Sequence, residues 1–142
     1  MMDVDKLEVA FEQAKIAYKL DEIPVGCAIF QGDELIACGY NEKEEKNDAI
    51  RHAELVAISR ACRKLGSWRL DDCSLYVTLE PCSHFGKTPP CADKIIEKKI
   101  SKVFIGTLDP NPLVAGRGVK KLKDAGIYVE YGILESECYK LN

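Results

Sequence analysis

The chain has 142 residues, 46% hydrophobic and 30% charged, with a formal net charge of −3. That length suits one domain with a substantial core, so a single domain over residues 1–142 is expected. No apolar run is long enough for a bilayer-spanning helix, no basic-then-apolar leader opens the chain, and its mild acidity weighs against extensive binding to a phosphate backbone.

Residues 3–20 read as a helix, with Leu7, Phe11, Ala14, Ala17 and Tyr18 recurring at three- and four-residue steps. Asp21-Glu22-Ile23-Pro24 stops it, because the residue before a proline is disfavoured in helical geometry. Val25 to Phe30 and Leu35 to Tyr40 then read as a hairpin around Gly32-Asp33. A two-residue loop there sets Cys27 opposite Cys38, Ala28 opposite Ala37 and Ile29 opposite Ile36. Val25, Cys27, Ile29, Ile36 and Cys38 share one face. Both faces are apolar, so helices should cover the sheet on both sides. The seven cysteines follow no framework spacing and no secretory signal accompanies them. A reducing, cytoplasmic setting is expected, with Cys27 and Cys38 read as core packing rather than a redox switch.

Asn41 to Asp48 is an acid-rich loop, with Asn47 or Asp48 suited to cap the helix that follows, over about 50–65. Leu55, Ile58, Ala61, Cys62 and Leu65 form its predicted buried stripe, and Gly66 closes it. Trp68 to Leu70 reads as a packed corner. Strands over Cys73–Leu79, Lys102–Thr107 and Ile127–Tyr131 alternate with helices over Ala92–Lys98 and Val119–Ala125. A further helix is expected over Glu135–Leu141. Helical crossovers join parallel strands, so the last three strands should run parallel. The fold class is α/β: a three-layer α/β/α sandwich around a five-stranded mixed sheet.

His52 and Glu54 open the second helix, Cys82 follows the third strand, and Cys91 opens the next helix after Pro89-Pro90. One imidazole and two thiols make the ligand set of a catalytic zinc site, which leaves one position for water. Structural zinc sites usually hold four protein ligands. No fourth ligand stands here at finger-like spacing, and His84 is the only other histidine. Glu54, two residues past His52, is awkward as a ligand to the same metal but suited to carry protons. Helix N-termini at His52 and Cys91 should favour a thiolate at Cys91. His-x-Glu followed by Pro-Cys is the pattern of the zinc base deaminases, with Zn2+ as cofactor.

The run Thr78-Leu79-Glu80-Pro81-Cys82-Ser83-His84-Phe85-Gly86-Lys87-Thr88-Pro89-Pro90-Cys91, with Asp109-Pro110-Asn111-Pro112 and Gly116-Arg117-Gly118, resembles the deaminase domain of the bacterial riboflavin-pathway enzyme. That family has the same eight residues between its zinc cysteines. The resemblance implies a cytidine-deaminase-like fold and removal of the 2-amino group of 2,5-diamino-6-(ribosylamino)-4(3H)-pyrimidinone 5′-phosphate. It also implies substrate contacts from His84, Lys87 and Thr88, the lysine serving a phosphate. Asp109 and Asn111 follow the fourth strand at its carboxyl end, where open α/β sheets bind ligands. A turn is the plain alternative for Asp109-Pro-Asn-Pro. Arg117 is either a phosphate contact or part of a loop before a helix.

The first half resembles tRNA adenosine deaminases instead, through Asp21-Glu22-Ile23-Pro24-Val25-Gly26, Asn41 and the run from Ala61 to Leu70. The riboflavin family has Ser-Pro-Asn-Pro before the first strand and a histidine at the place of Asn41. The second half carries more weight, because residues 83–90 sit on the metal rim. The tRNA enzymes are expected to use a basic, aromatic terminal helix, whereas Leu134 to Asn142 is acidic, and positive charge is not gathered on one face. The reading is therefore the pyrimidine phosphate deaminase, with Asn41 lining the pocket beside the residues named above. The alternatives are a tRNA adenosine deaminase, a deaminase of another base, nucleoside or pyrimidine metabolite, and a zinc-stabilised binding protein without turnover. The resemblance further implies a homodimer or homotetramer, no membrane partner, and a separate reductase for the next step.

Overall fold

The computed structural model describes residues 1–42, 51–83 and 90–142. In chain order these form α1 (Asp3–Lys19), β1 (Gly26–Gln31), β2 (Glu34–Tyr40), α2 (Ala53–Leu65), β3 (Cys73–Leu79), α3 (Cys91–Glu97), β4 (Lys102–Thr107), α4 (Arg117–Asp124), β5 (Tyr128–Tyr131) and α5 (Glu135–Leu141). The strands lie in the order β2-β1-β3-β4-β5. β1 is antiparallel to both β2 and β3, while β3, β4 and β5 are parallel, as the helical crossovers require. The α/β sandwich with its five-stranded mixed sheet is therefore observed. Among the described residues, no helix is long and apolar enough to cross a membrane.

Side chains alternate across the strands, so each strand feeds two cores. On one face Cys27, Ile29, Leu75, Val77, Val103 and Ile105 meet α2, α3 and α4 through Ala57, Ala61, Ile95 and Leu122. On the other, Ala28, Phe30, Tyr76 and Phe104 meet α1 and α5 through Leu7, Ala10 and Cys138.

Three sequence expectations are corrected. The hairpin turns at Gly32-Asp33, but its register shifts by one residue between Ile29 and Phe30. Cys27 therefore pairs with Gly39 and Cys38 with Ala28, and Cys38 packs toward the opposite face from Cys27. A bulge of one residue moves a side chain to the other side of a sheet with period two. On α2 the buried stripe is Ala53, Val56, Ala57, Ile58 and Ala61. Leu55, Cys62 and Leu65 lie at its margin, only half-buried. Small alanines let this helix sit close to the sheet, and Gly39 shows how close: a Cβ there would meet Val56 Cγ1 at 2.8 Å. Finally, Tyr18 and Trp68 are 59% and 56% exposed, so neither is a core residue. The Arg69 guanidinium covers the Trp68 ring at 5.5 Å.

Candidate active site

Three chain segments converge at the carboxyl ends of β3 and β4. His52 is the N-cap of α2, in extended geometry, and its side chain makes no capping bond. Asn41, just past β2, does that work from across the chain: its Oδ1 accepts the Ala53 N–H at 2.7 Å. The predicted caps Asn47 and Asp48 lie outside the described residues. Cys82 follows β3, and Cys91 is the first residue of α3 after Pro90, its N-cap. The Ala92 N–H donates to the Cys82 carbonyl at 3.1 Å, and the Cys91 N–H donates to Cys82 Sγ at 3.1 Å.

His52 Nδ1 lies 3.3 Å from Cys91 Sγ. The imidazole and both sulfurs each offer a ligand atom within 4.8 Å of the others. Tetrahedral zinc with bonds of about 2.0–2.3 Å needs donors roughly 3.6 Å apart. The three predicted ligands fit that requirement, and the donor set is that of a zinc site with one position open. Glu54 stands outside this cluster.

The two thiols titrate in opposite directions. The hydrogen bond from Cys91 holds the Cys82 thiol down at about 4 against the effect of burial, aided by His52 and by the Cys91 N–H. The Cys91 thiol is driven far up by the neighbouring Cys82 sulfur and by burial. The first amide of α3 points at Cys82 Sγ, so the helix N-terminus stabilises the partner's charge. Zinc held there would take both sulfurs as thiolates.

Glu54 is 5% exposed. Burial pushes its carboxyl up to about 7, with the Cys82 charge adding to the rise while its own backbone N–H, His52 and the Cys91 thiol oppose it. A carboxyl near neutrality both accepts and donates protons at working pH, which is what general acid–base catalysis asks of it.

Asn41 is 8% exposed and borders the first turn of α2 through its bond to Ala53. Asp109 and Asn111 lie in the loop after β4, and each uses an oxygen on the loop's own backbone. Asp109 Oδ1 accepts the Asn111 N–H at 2.9 Å, and Asn111 Oδ1 accepts the Leu113 N–H at 3.0 Å. The turn that the sequence offered as the plain reading is thus formed. His84, Lys87 and Thr88 lie outside the described residues. One residue that sequence reasoning did not single out is Glu80, 6% exposed, whose side chain accepts two backbone N–H groups from this same loop and a third from the first turn of α4. Its signal in the sequence was slight: one acid between an apolar strand and a proline.

Residues 2–107 match the cytidine and deoxycytidylate deaminase zinc-binding region. The chain is 42% identical over 137 residues to the riboflavin biosynthesis protein RibD of Aquifex aeolicus, covering 96% of this chain and 36% of that one. It is 44% identical over 119 residues to the diaminohydroxyphosphoribosylamino-pyrimidine deaminase of Buchnera aphidicola, covering 83% of this chain and 74% of that one. A solved structure from work on A-to-I editing by tRNA:A34 deaminases superposes with a TM-score of 0.83 at 32% identity, covering 97% of this chain and 99% of that one. The chain spans about a third of the length of most of the curated relatives it matches.

Proposed function

The chain belongs to the cytidine and deoxycytidylate deaminase zinc-binding family, and from that premise we propose that it removes the 2-amino group of 2,5-diamino-6-(ribosylamino)-4(3H)-pyrimidinone 5′-phosphate by hydrolysis. The observation that carries this reading is the match to the Buchnera aphidicola deaminase, which covers most of that protein as well as of this chain. His52, Cys82 and Cys91 would hold the zinc, which when bound supplies Lewis-acid activation of water at neutral pH. Glu54 accepts a proton from the attacking water and delivers it to the ring nitrogen. It then passes the second water proton to the amino group, so that oxygen replaces nitrogen and ammonia leaves. The buried setting of Glu54 suits both directions of transfer. Asn41, Asp109 and Asn111 line the substrate side, with His84 and Thr88 as further substrate contacts and Lys87 serving the phosphate.

A second reading, a tRNA adenosine deaminase, has one structural observation in its favour. Arg51, Arg60, Arg63, Lys94 and Lys98 gather along a cavity of about 480 Å³ between α2 and α3, charge that looked dispersed in the sequence. Arg51 is paired with Glu42 there, and Lys94 with Glu97, which reduces the charge on offer to a phosphate backbone. Ammonia release by the zinc-loaded protein decides between the readings, with Glu54→Ala as control. Release from the pyrimidine phosphate that the control lacks supports the first. Release from a tRNA anticodon stem-loop and none from the pyrimidine replaces it with the second.

A further inference from the structure

Glu80 is the first residue past β3 and stands two positions before Cys82. Its backbone N–H donates to the Thr107 carbonyl at 2.9 Å, continuing the β3–β4 ladder one residue past the end of β3. From that fixed point its side chain reaches the 108–116 loop and the first turn of α4. Oε1 accepts the N–H groups of Asp109 and Gly116, and Oε2 accepts that of Val119, all at 3.0 Å. Backbone N–H groups at a loop and a helix start need partners, and here one side chain supplies three. The chain around Gly118 is pressed equally close. A Cβ at that position would stand 2.2 Å from the Pro81 carbonyl oxygen and 3.1 Å from the Glu80 side chain.

The loop therefore closes on the peptide step that leads into a metal ligand, at the carboxyl ends of β3 and β4, the side where open α/β sheets bind ligands. Inside the loop, Asp109 and Asn111 stiffen the chain with their own backbone bonds. We propose that Glu80 is a positioning residue: its side chain fixes the 108–116 loop and the first turn of α4 to the turn carrying Cys82 and so sets the substrate-side wall of the site. This rests on the deaminase reading for its effect on substrate, though not for its effect on the loop.

Glu80→Gln in the zinc-loaded full chain tests it. The amide keeps an acceptor oxygen but turns an NH2 group toward one of the three backbone donors. Expected are amide hydrogen exchange about tenfold faster at Gly116 and Val119, KM for the pyrimidine phosphate raised about tenfold, kcat within about twofold, and unchanged zinc content. Gly118→Ala, which forces the loop off Pro81 while leaving the carboxylate, should reproduce the KM rise and serves if Glu80→Gln does not fold. Unchanged exchange, faster exchange with unchanged KM, or a joint fall of zinc content and kcat would each overturn the proposal. If the wild type releases no ammonia from the pyrimidine phosphate, the substrate reading and the wall's role fail together. Exchange then still decides whether Glu80 holds the loop.

Discussion

The two faces of the sheet are packed by the same rules and put to different uses. On the α1–α5 face, Tyr76 stacks on Phe104 at 4.6 Å and meets the edge of Phe30 at 5.6 Å. Its hydroxyl donates to Asp3 at 2.6 Å, and Lys6 lays its chain beside the same rings to reach the Gly32 carbonyl at 2.8 Å. Polar tips there reach the rim, and the interior is apolar but for the buried Cys138 thiol. The α2–α3–α4 face instead buries ionisable groups among small side chains: Glu54, Cys27 and Cys91 sit with Ala53, Ala57 and Ala92. A core that hides titratable groups gives up some stability, and it does so where chemistry can use them.

Loss of a ligand gives the largest expected separation of the faces. Cys91→Ala should abolish stoichiometric zinc, read by metal analysis of the purified protein, and turnover with it; full zinc content would remove Cys91 from the ligand set. Glu54→Gln should keep zinc but lower kcat by about 10³-fold. On the other face, Tyr76→Ala should cost about 3–5 kcal/mol in urea unfolding while zinc affinity stays within twofold. A parallel loss of zinc would show that the faces are not independent.

The next effect is one of pH. Folding raises the Glu54 carboxyl from 4.5 to about 7, so the unfolded chain ionises first. The stability of the metal-free protein from this group is full below about pH 4.5 and is lost as pH rises through 7, by up to about 3 kcal/mol. The difference in urea midpoint between wild type and Glu54→Gln should therefore change between pH 5 and pH 8, and a flat difference would place Glu54 in water. Smallest is Tyr76→Phe, which removes the bond to Asp3 and should cost about 1 kcal/mol.

Much of this was written in local sequence. Strands β3 and β4 fall on the residues that their apolar runs mark, and the His52, Cys82 and Cys91 donors meet as their spacing and flanking elements require. What stayed hidden depends on contacts between distant segments. The α2 stripe turns toward its alanines because the backbone at Gly39 comes near, and periodicity alone favours the larger Leu55. That the first amide of α3 points at Cys82 Sγ is likewise recorded by no spacing. Glu80 is invisible for the same reason: its three partners lie 29 to 39 residues further along the chain.

The displaced register of the hairpin has a consequence for how this protein tolerates change in length. At the tip, pairing is dictated by the Gly32-Asp33 turn; at the base, by the fit of Gly39 against Val56, which also holds Asn41 within reach of Ala53. The two demands differ by one residue, and Ile36, which faces no partner in the ladder, takes up the difference. The slack is confined to β2: β1 keeps an unbroken register with β3 from Cys27 to Gln31, so a residue gained or lost in β2 between Glu34 and Ile36 would be taken up at the bulge while the end that borders the site keeps its frame.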